Sequence, residues 1–104
     1  MEYNKLVRDN IPDIIRKEGC VPKTEILTDE RFLSELDKKL SEEVGEYQES
    51  KKLEELADIL EVVYAICNVR GYSLDELMRV KEEKQFNRGG FSKKLFLISK
   101  SKAE

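Results

Sequence analysis

Histidine is absent from this chain. That removes the commonest general base, the Ser–His and Cys–His nucleophile pairs, and every histidine-containing metal site. Any metal chemistry has to rest on oxygen ligands, which select hard ions such as Mg²⁺ or Mn²⁺. Cysteine is scarce, with two residues, too few for a disulfide framework. Cys67 lies in the most apolar stretch and reads as a small core residue, while Cys20 follows Gly19 in an expected turn. Excess charge of either sign is missing as well. Charged residues make up 39% of the chain, yet the net charge is only -3. That balance implies neither a nucleic-acid polymer as partner nor an acidic tail. The longest apolar stretch is shorter than a membrane span and is interrupted by acids. The opening Met-Glu-Tyr-Asn-Lys lacks the pattern of a signal peptide. The default expectation is a soluble cytoplasmic protein with no membrane partner. Its 104 residues suit a single domain, 1–104, around one core.

What the chain does have is two clusters of carboxylates, Glu42-Glu43-x-x-Glu46 and Glu54-Glu55-x-x-Asp58. Acids at i and i+3 share one face of a helix. The apolar positions Phe32, Leu33, Leu36, Leu40, Val44 and Tyr47 recur at helical spacing. With about 100° per residue, Glu43 falls roughly 40° from the centre of that stripe and points inward. Glu46 sits at its edge and Glu42 slightly outside it. On the next helix Asp58 projects along the line of Val62 and Ala65, with Glu55 and Glu61 on either side. Two inward-facing acid pairs on consecutive antiparallel helices converge. Unpaired charge facing a core is expensive, and a divalent cation between the helices is the simplest compensation. Most Glu-rich faces are merely solvated, which is the expectation for Glu49, Glu54 and Glu82-Glu83. Lys38, Lys39 and Lys52 are placed to absorb part of the charge. A dinuclear iron bundle would need Glu-x-x-His motifs, which this sequence does not contain.

Around these clusters the spacing predicts a mainly α protein. Pro12 suits the first turn of a short helix reaching about Glu18, with Asp9 or Asn10 near its N-cap and Gly19 ending it. Thr28 or Asp29 opens the long helix, and Ser50 is expected to cap the one after it, about Leu53 to Val69, which Gly71 closes. Ser73-Leu74-Asp75-Glu76 is a capping-box sequence, so a further helix runs from Leu74 towards Asn87. Residues 23–27 and 94–98 read as short strands that pair with each other.

With both ends added, the pattern resembles a known superfamily. Glu42-Glu43-x-x-Glu46 followed by Glu55-x-x-Asp58 is similar to the metal signature of the all-α nucleoside-triphosphate pyrophosphatases. That group includes MazG, dimeric dUTPases and phosphoribosyl-ATP pyrophosphohydrolase. Tyr3-Asn4-Lys5-Leu6-Val7-Arg8-Asp9-x-Ile11-Pro12 and Lys84-x-x-Asn87-Arg88-Gly89-Gly90-Phe91 resemble one small branch of it, described as phosphoribosyl-ATP pyrophosphohydrolase-like or house-cleaning pyrophosphatases. The resemblance runs from Tyr3 to Ile98. It implies an antiparallel helix bundle that hydrolyses a nucleoside triphosphate to the monophosphate and pyrophosphate. It makes Glu43, Glu46, Glu55 and Asp58 the Mg²⁺ ligands, with Mn²⁺ as a substitute. Glu42 matches the acid that orients or deprotonates the attacking water, and Glu43 is assigned with it to catalysis. One departure stands out. The segment between Glu46 and Glu55 is shorter than in many MazG relatives, so no base-contacting residue is carried over.

Beyond the metal, the triphosphate needs cations of the protein's own. Lys5, Arg8, Lys84 and Arg88 are the expected phosphate contacts, with Lys81 on the same helical face as the last two. Gly89-Gly90 permits close backbone approach to a ligand. A basic last turn also complements a helix dipole without any ligand. Asp9 is expected to cap the first helix or pair with a basic group, and Asn68 to bond within the bundle or reach substrate. The stretch from Leu56 to Cys67 is apolar on nearly every face, which predicts a homodimer or larger homo-oligomer. Two rival functions remain open: phosphoribosyl-ATP hydrolysis, and a non-catalytic helical module that binds nucleotides or a protein.

Overall fold

A computed structural model describes residues 2–104 and places four helices among them, with no strand. α1, Ile11–Lys17, has a proline in its first turn and follows Asn10 as N-cap, without a side-chain cap bond. Gly19 then leaves the helix with φ 85°. α2, Asp29–Ser50, is capped by Thr28, whose Oγ1 accepts the Arg31 N–H at 3.3 Å. Asp29 and Glu30 in its first turn complement the helix dipole. At the far end Lys51 adopts a left-handed conformation, φ 61°, and its N–H returns to the Tyr47 carbonyl at 2.8 Å. α3, Leu53–Arg70, begins two residues later and ends at Gly71, which takes the left-handed φ of 82°.

So short a connection folds α3 back along α2 as an α-helical hairpin. Leu36 of α2 and Val62 and Cys67 of α3 are its buried apolar residues. Cys67 is thus a core residue as its apolar setting predicts, and Cys20 is exposed. The packing covers one side of α3 and leaves Leu53 80% exposed, with Leu56 and Leu60 open as well. None of the described helices is long and apolar enough to cross a membrane.

Two compact units divide the chain after Tyr72. The first holds α1 and the α2–α3 hairpin. The second begins with the expected capping box: the Glu76 N–H bonds to Ser73 Oγ at 3.1 Å, and the Ser73 N–H bonds to Glu76 Oε1 at 3.3 Å. It starts α4, Leu74–Arg88, which Gly89 terminates at φ 83°.

Two expectations require correction. The pairing of residues 23–27 with 94–98 does not form, and both segments lack regular secondary structure. Lys94 turns left-handed at φ 57°, with its N–H on the Phe91 carbonyl, which interrupts an extended run at its first residue. Ile26 is fully exposed and Leu95 to Ile98 nearly so. Without a ladder or a covered face, an apolar segment has nothing to hold it as a strand. Ser50 is not the cap of α3 either. It is the last residue of α2, and Lys52, without a side-chain cap bond, holds the N-cap position. Ser50 Oγ still accepts the Lys52 N–H at 3.3 Å, so its hydroxyl serves the turn rather than the helix.

Candidate metal centre

Glu43 occupies the interior of the hairpin, at 6% exposure among its apolar neighbours. The inward orientation expected from helical spacing is therefore observed. Burial results from its place on the stripe of Leu36, seven residues and two turns earlier on the same face. Facing it on α3 are Glu55 and Asp58, both half-buried. Oxygens of Glu43, Glu55 and Asp58 lie within 4.8 Å of one another, and so do those of Glu42, Glu43 and Glu46. Glu43 belongs to both triads. The five acids named from the sequence gather at one place through this single shared residue.

The local cations do not balance that charge. Lys39 Nζ approaches Glu43 Oε1 at 3.5 Å and Glu42 Oε1 at 3.6 Å, one turn away on α2. Arg8 Nη2 donates to Asp58 Oδ1 at 2.6 Å. Two positive charges thus meet five carboxylates. Glu43 Oε2 is buried and has no hydrogen-bond partner among the described residues. An orphaned buried carboxylate oxygen is uncommon in a folded protein and calls for a proton or a cation. Burial pushes the Glu43 carboxyl above its usual 4.5, and the neighbouring Glu46 raises it further. Lys39 pulls the other way, while Asp58 adds to the rise. The fit to a hard divalent ion is chemical: several oxygen donors from two rigid helices, one of them buried and unsatisfied.

The expected phosphate contacts fall in different surroundings. Arg8 reaches the acid group itself. Lys5 lies over the Tyr3 ring, 5.8 Å from its centroid. Lys84 and Arg88 share α4 in the second unit, with Lys81 one turn before Lys84. Asp9 neither caps α1 nor joins the acids. It lines an open cleft of about 440 Å³ together with Phe32, Glu61, Tyr64 and Asn68. Glu61 is three residues beyond Asp58 on α3, so this cleft starts about one turn, roughly 5 Å, from the carboxylates. The sequence showed that Asn68 follows the acid-bearing line of α3. It carried no signal for Phe32 and Tyr64 as cleft residues, because Phe32 reads as part of the apolar stripe of α2 and Tyr64 as part of the apolar stretch from Leu56 to Cys67. The Arg8–Asp58 pair spans 50 residues and had no local signal either.

Comparison with known proteins adds little. No family model matches this chain, and no solved structure matches it. A protein of Mycolicibacterium smegmatis, described as an uncharacterized protein, is similar to it, with 48% identity over 42 residues. That match covers 40% of this chain and 43% of the mycobacterial protein.

Proposed function

We propose that this protein is a Mg²⁺-dependent nucleotide pyrophosphohydrolase, cleaving a nucleoside triphosphate to its monophosphate and pyrophosphate. The observation that carries this reading is Glu43: buried, shared by both carboxylate triads, and left with an unsatisfied oxygen. In this reading Glu43, Glu46, Glu55 and Asp58 hold the ion. Mg²⁺ when bound supplies the positive charge that phosphate oxygens and an attacking water require.

The chain's own residues do the rest. Glu42, exposed where Glu43 is buried, has room for water and takes the proton as the oxygen attacks the α-phosphorus. The bond from the α-phosphorus to the α,β-bridging oxygen breaks, and pyrophosphate leaves with that oxygen. Such a displacement needs positioning and charge stabilisation more than covalent chemistry, which suits a site without histidine. Arg8 and Lys5, in the same unit as the acids, supply cationic contacts to the leaving phosphates. The cleft beside the acids, with Phe32 and Tyr64 for an aromatic face and Asp9 and Asn68 for polar edges, receives the nucleoside. A nucleotide substrate suits a cytoplasmic location. The exposed Leu53, Leu56 and Leu60 on α3 support a homodimer in which a second copy covers that face.

The deciding experiment is a turnover screen across ribo-, deoxy- and damaged nucleoside triphosphates, with phosphoribosyl-ATP alongside, in Mg²⁺ and then in chelator. Pyrophosphate release that requires Mg²⁺ and disappears in Glu43→Gln is the expected result. Release from phosphoribosyl-ATP alone would assign the histidine-biosynthetic reaction. No release from any substrate, with nucleotide binding retained, would assign a non-catalytic binding module.

A further inference from the structure

Arg8 stands outside regular structure, three residues before α1, and its side chain crosses to α3. Its carbonyl accepts the Ile11 N–H at 3.0 Å, so its backbone is fixed by the start of α1. The guanidinium sits on Asp58 Oδ1 at 2.6 Å, within a triad that also contains the buried Glu43. Both partners are substantially exposed, 59% for Arg8 and 39% for Asp58. An ion pair so open to water is weak and readily exchanged. A divalent ion reaching Asp58, Glu55 and Glu43 together has several charged donors where the guanidinium has one. The same planar fork that fits a carboxylate fits a phosphate equally well.

We propose that Arg8 is a stand-in cation: it neutralises Asp58 until the metal arrives, then turns to the phosphate oxygens of the substrate. This rests on the metal reading above and adds to it a coupling between two ligands. Metal binding releases the phosphate-binding arginine. By linkage, an anion that draws Arg8 away from Asp58 tightens metal binding by the same factor. Arg8 thus competes with the metal for Asp58 and binds the anion, and removing it has opposite effects on the two.

The test uses the full chain, with Mn²⁺ or Mg²⁺ affinity by calorimetry and pyrophosphate as the anion probe. Arg8→Met keeps the aliphatic stem and removes the charge. Its metal affinity is expected to rise about two- to fivefold, the range an exposed ion pair supports. Its pyrophosphate affinity at saturating Mg²⁺ should fall about tenfold, and by less than twofold in chelator, where Arg8 of the wild type is still engaged. Arg8→Lys retains the charge and should keep metal affinity near the wild-type value. In the wild type, the side-chain ¹⁵N resonance of Arg8 should shift as Mg²⁺ fills the site. Weaker or unchanged metal binding in Arg8→Met, or an Arg8 resonance that ignores Mg²⁺, overturns the proposal and leaves the metal reading intact. If the wild type binds neither ion, both fall together. Should Arg8→Met fail to fold, the resonance titration and Arg8→Lys decide.

Discussion

Replacing Glu43 with glutamine tests the centre of the reasoning, because it should move stability and metal response in opposite directions. In the metal-free protein, Glu43 is attracted by Lys39 at 3.5 Å and repelled by Glu46 and Asp58, whose oxygens lie within 4.8 Å. At an effective dielectric of about 20 the attraction is roughly 5 kcal/mol and each repulsion roughly 3.5. The two repulsions outweigh the one attraction, and the desolvation of a buried carboxylate adds to the penalty. Water around Glu46 and Asp58 reduces their share, leaving a net cost of about 1 kcal/mol for the ionised side chain. A glutamine of the same shape removes the charge, and its amide can donate to a neighbouring carboxylate. Metal-free Glu43→Gln should therefore be more stable than wild type by about 1 kcal/mol, or about 4–8 °C in Tm for a chain of this size. Millimolar Mg²⁺ should raise the Tm of the wild type, and the same substitution should abolish that rise. Paired melts in chelator and in Mg²⁺ measure both quantities. A metal-free variant less stable than wild type would show that the Lys39 pair dominates and that the cluster is a balanced surface network. An undiminished Mg²⁺ response in the variant would remove Glu43 from the ligand set.

The raised Glu43 carboxyl also fixes a sign for pH dependence. Between the ordinary value of 4.5 and its higher folded value, the native state holds a proton that the unfolded state has released. Metal-free stability should fall as pH rises through that window and level off above it, while Mg²⁺ affinity rises over the same interval. Urea titrations of wild type against Glu43→Gln isolate this contribution, and a difference that grows in favour of wild type with pH would contradict it. Ser73→Ala removes the hydroxyl that accepts the Glu76 N–H and should destabilise α4 by about 1 kcal/mol, read as faster amide exchange in that helix. Sedimentation at micromolar concentration should give a dimer, and Leu56→Asp with Leu60→Asp a monomer. A wild-type monomer would remove the need for a second copy over α3.

What the sequence made legible follows from the range of the interaction involved. Helical spacing placed Glu43 inside and Glu42 outside, because a period of about 3.6 residues fixes which side chains share a face. Caps at Thr28 and Ser73 and the glycine stop at 71 were readable for the same reason: the bonds that make them span three or four residues. Ser50 misled at that same scale, since a serine near a helix start has more than one backbone group within reach, and here it serves the turn. The strands failed for a different reason. Apolar composition at 23–27 and 94–98 says that these residues gain from cover, and not that the same chain supplies it. Arg8 and Asp58 are joined by a contact across 50 residues that no local pattern encodes. The long-range contact changes the chemistry most. The sequence assigns Arg8 to phosphate and Asp58 to metal as two separate tasks, while the fold puts them on each other. If Arg8 binds the anion and Asp58 the metal, as proposed, the ion pair between them links the two binding events, and affinities for metal and for nucleotide measured one at a time would understate how tightly the pair binds together.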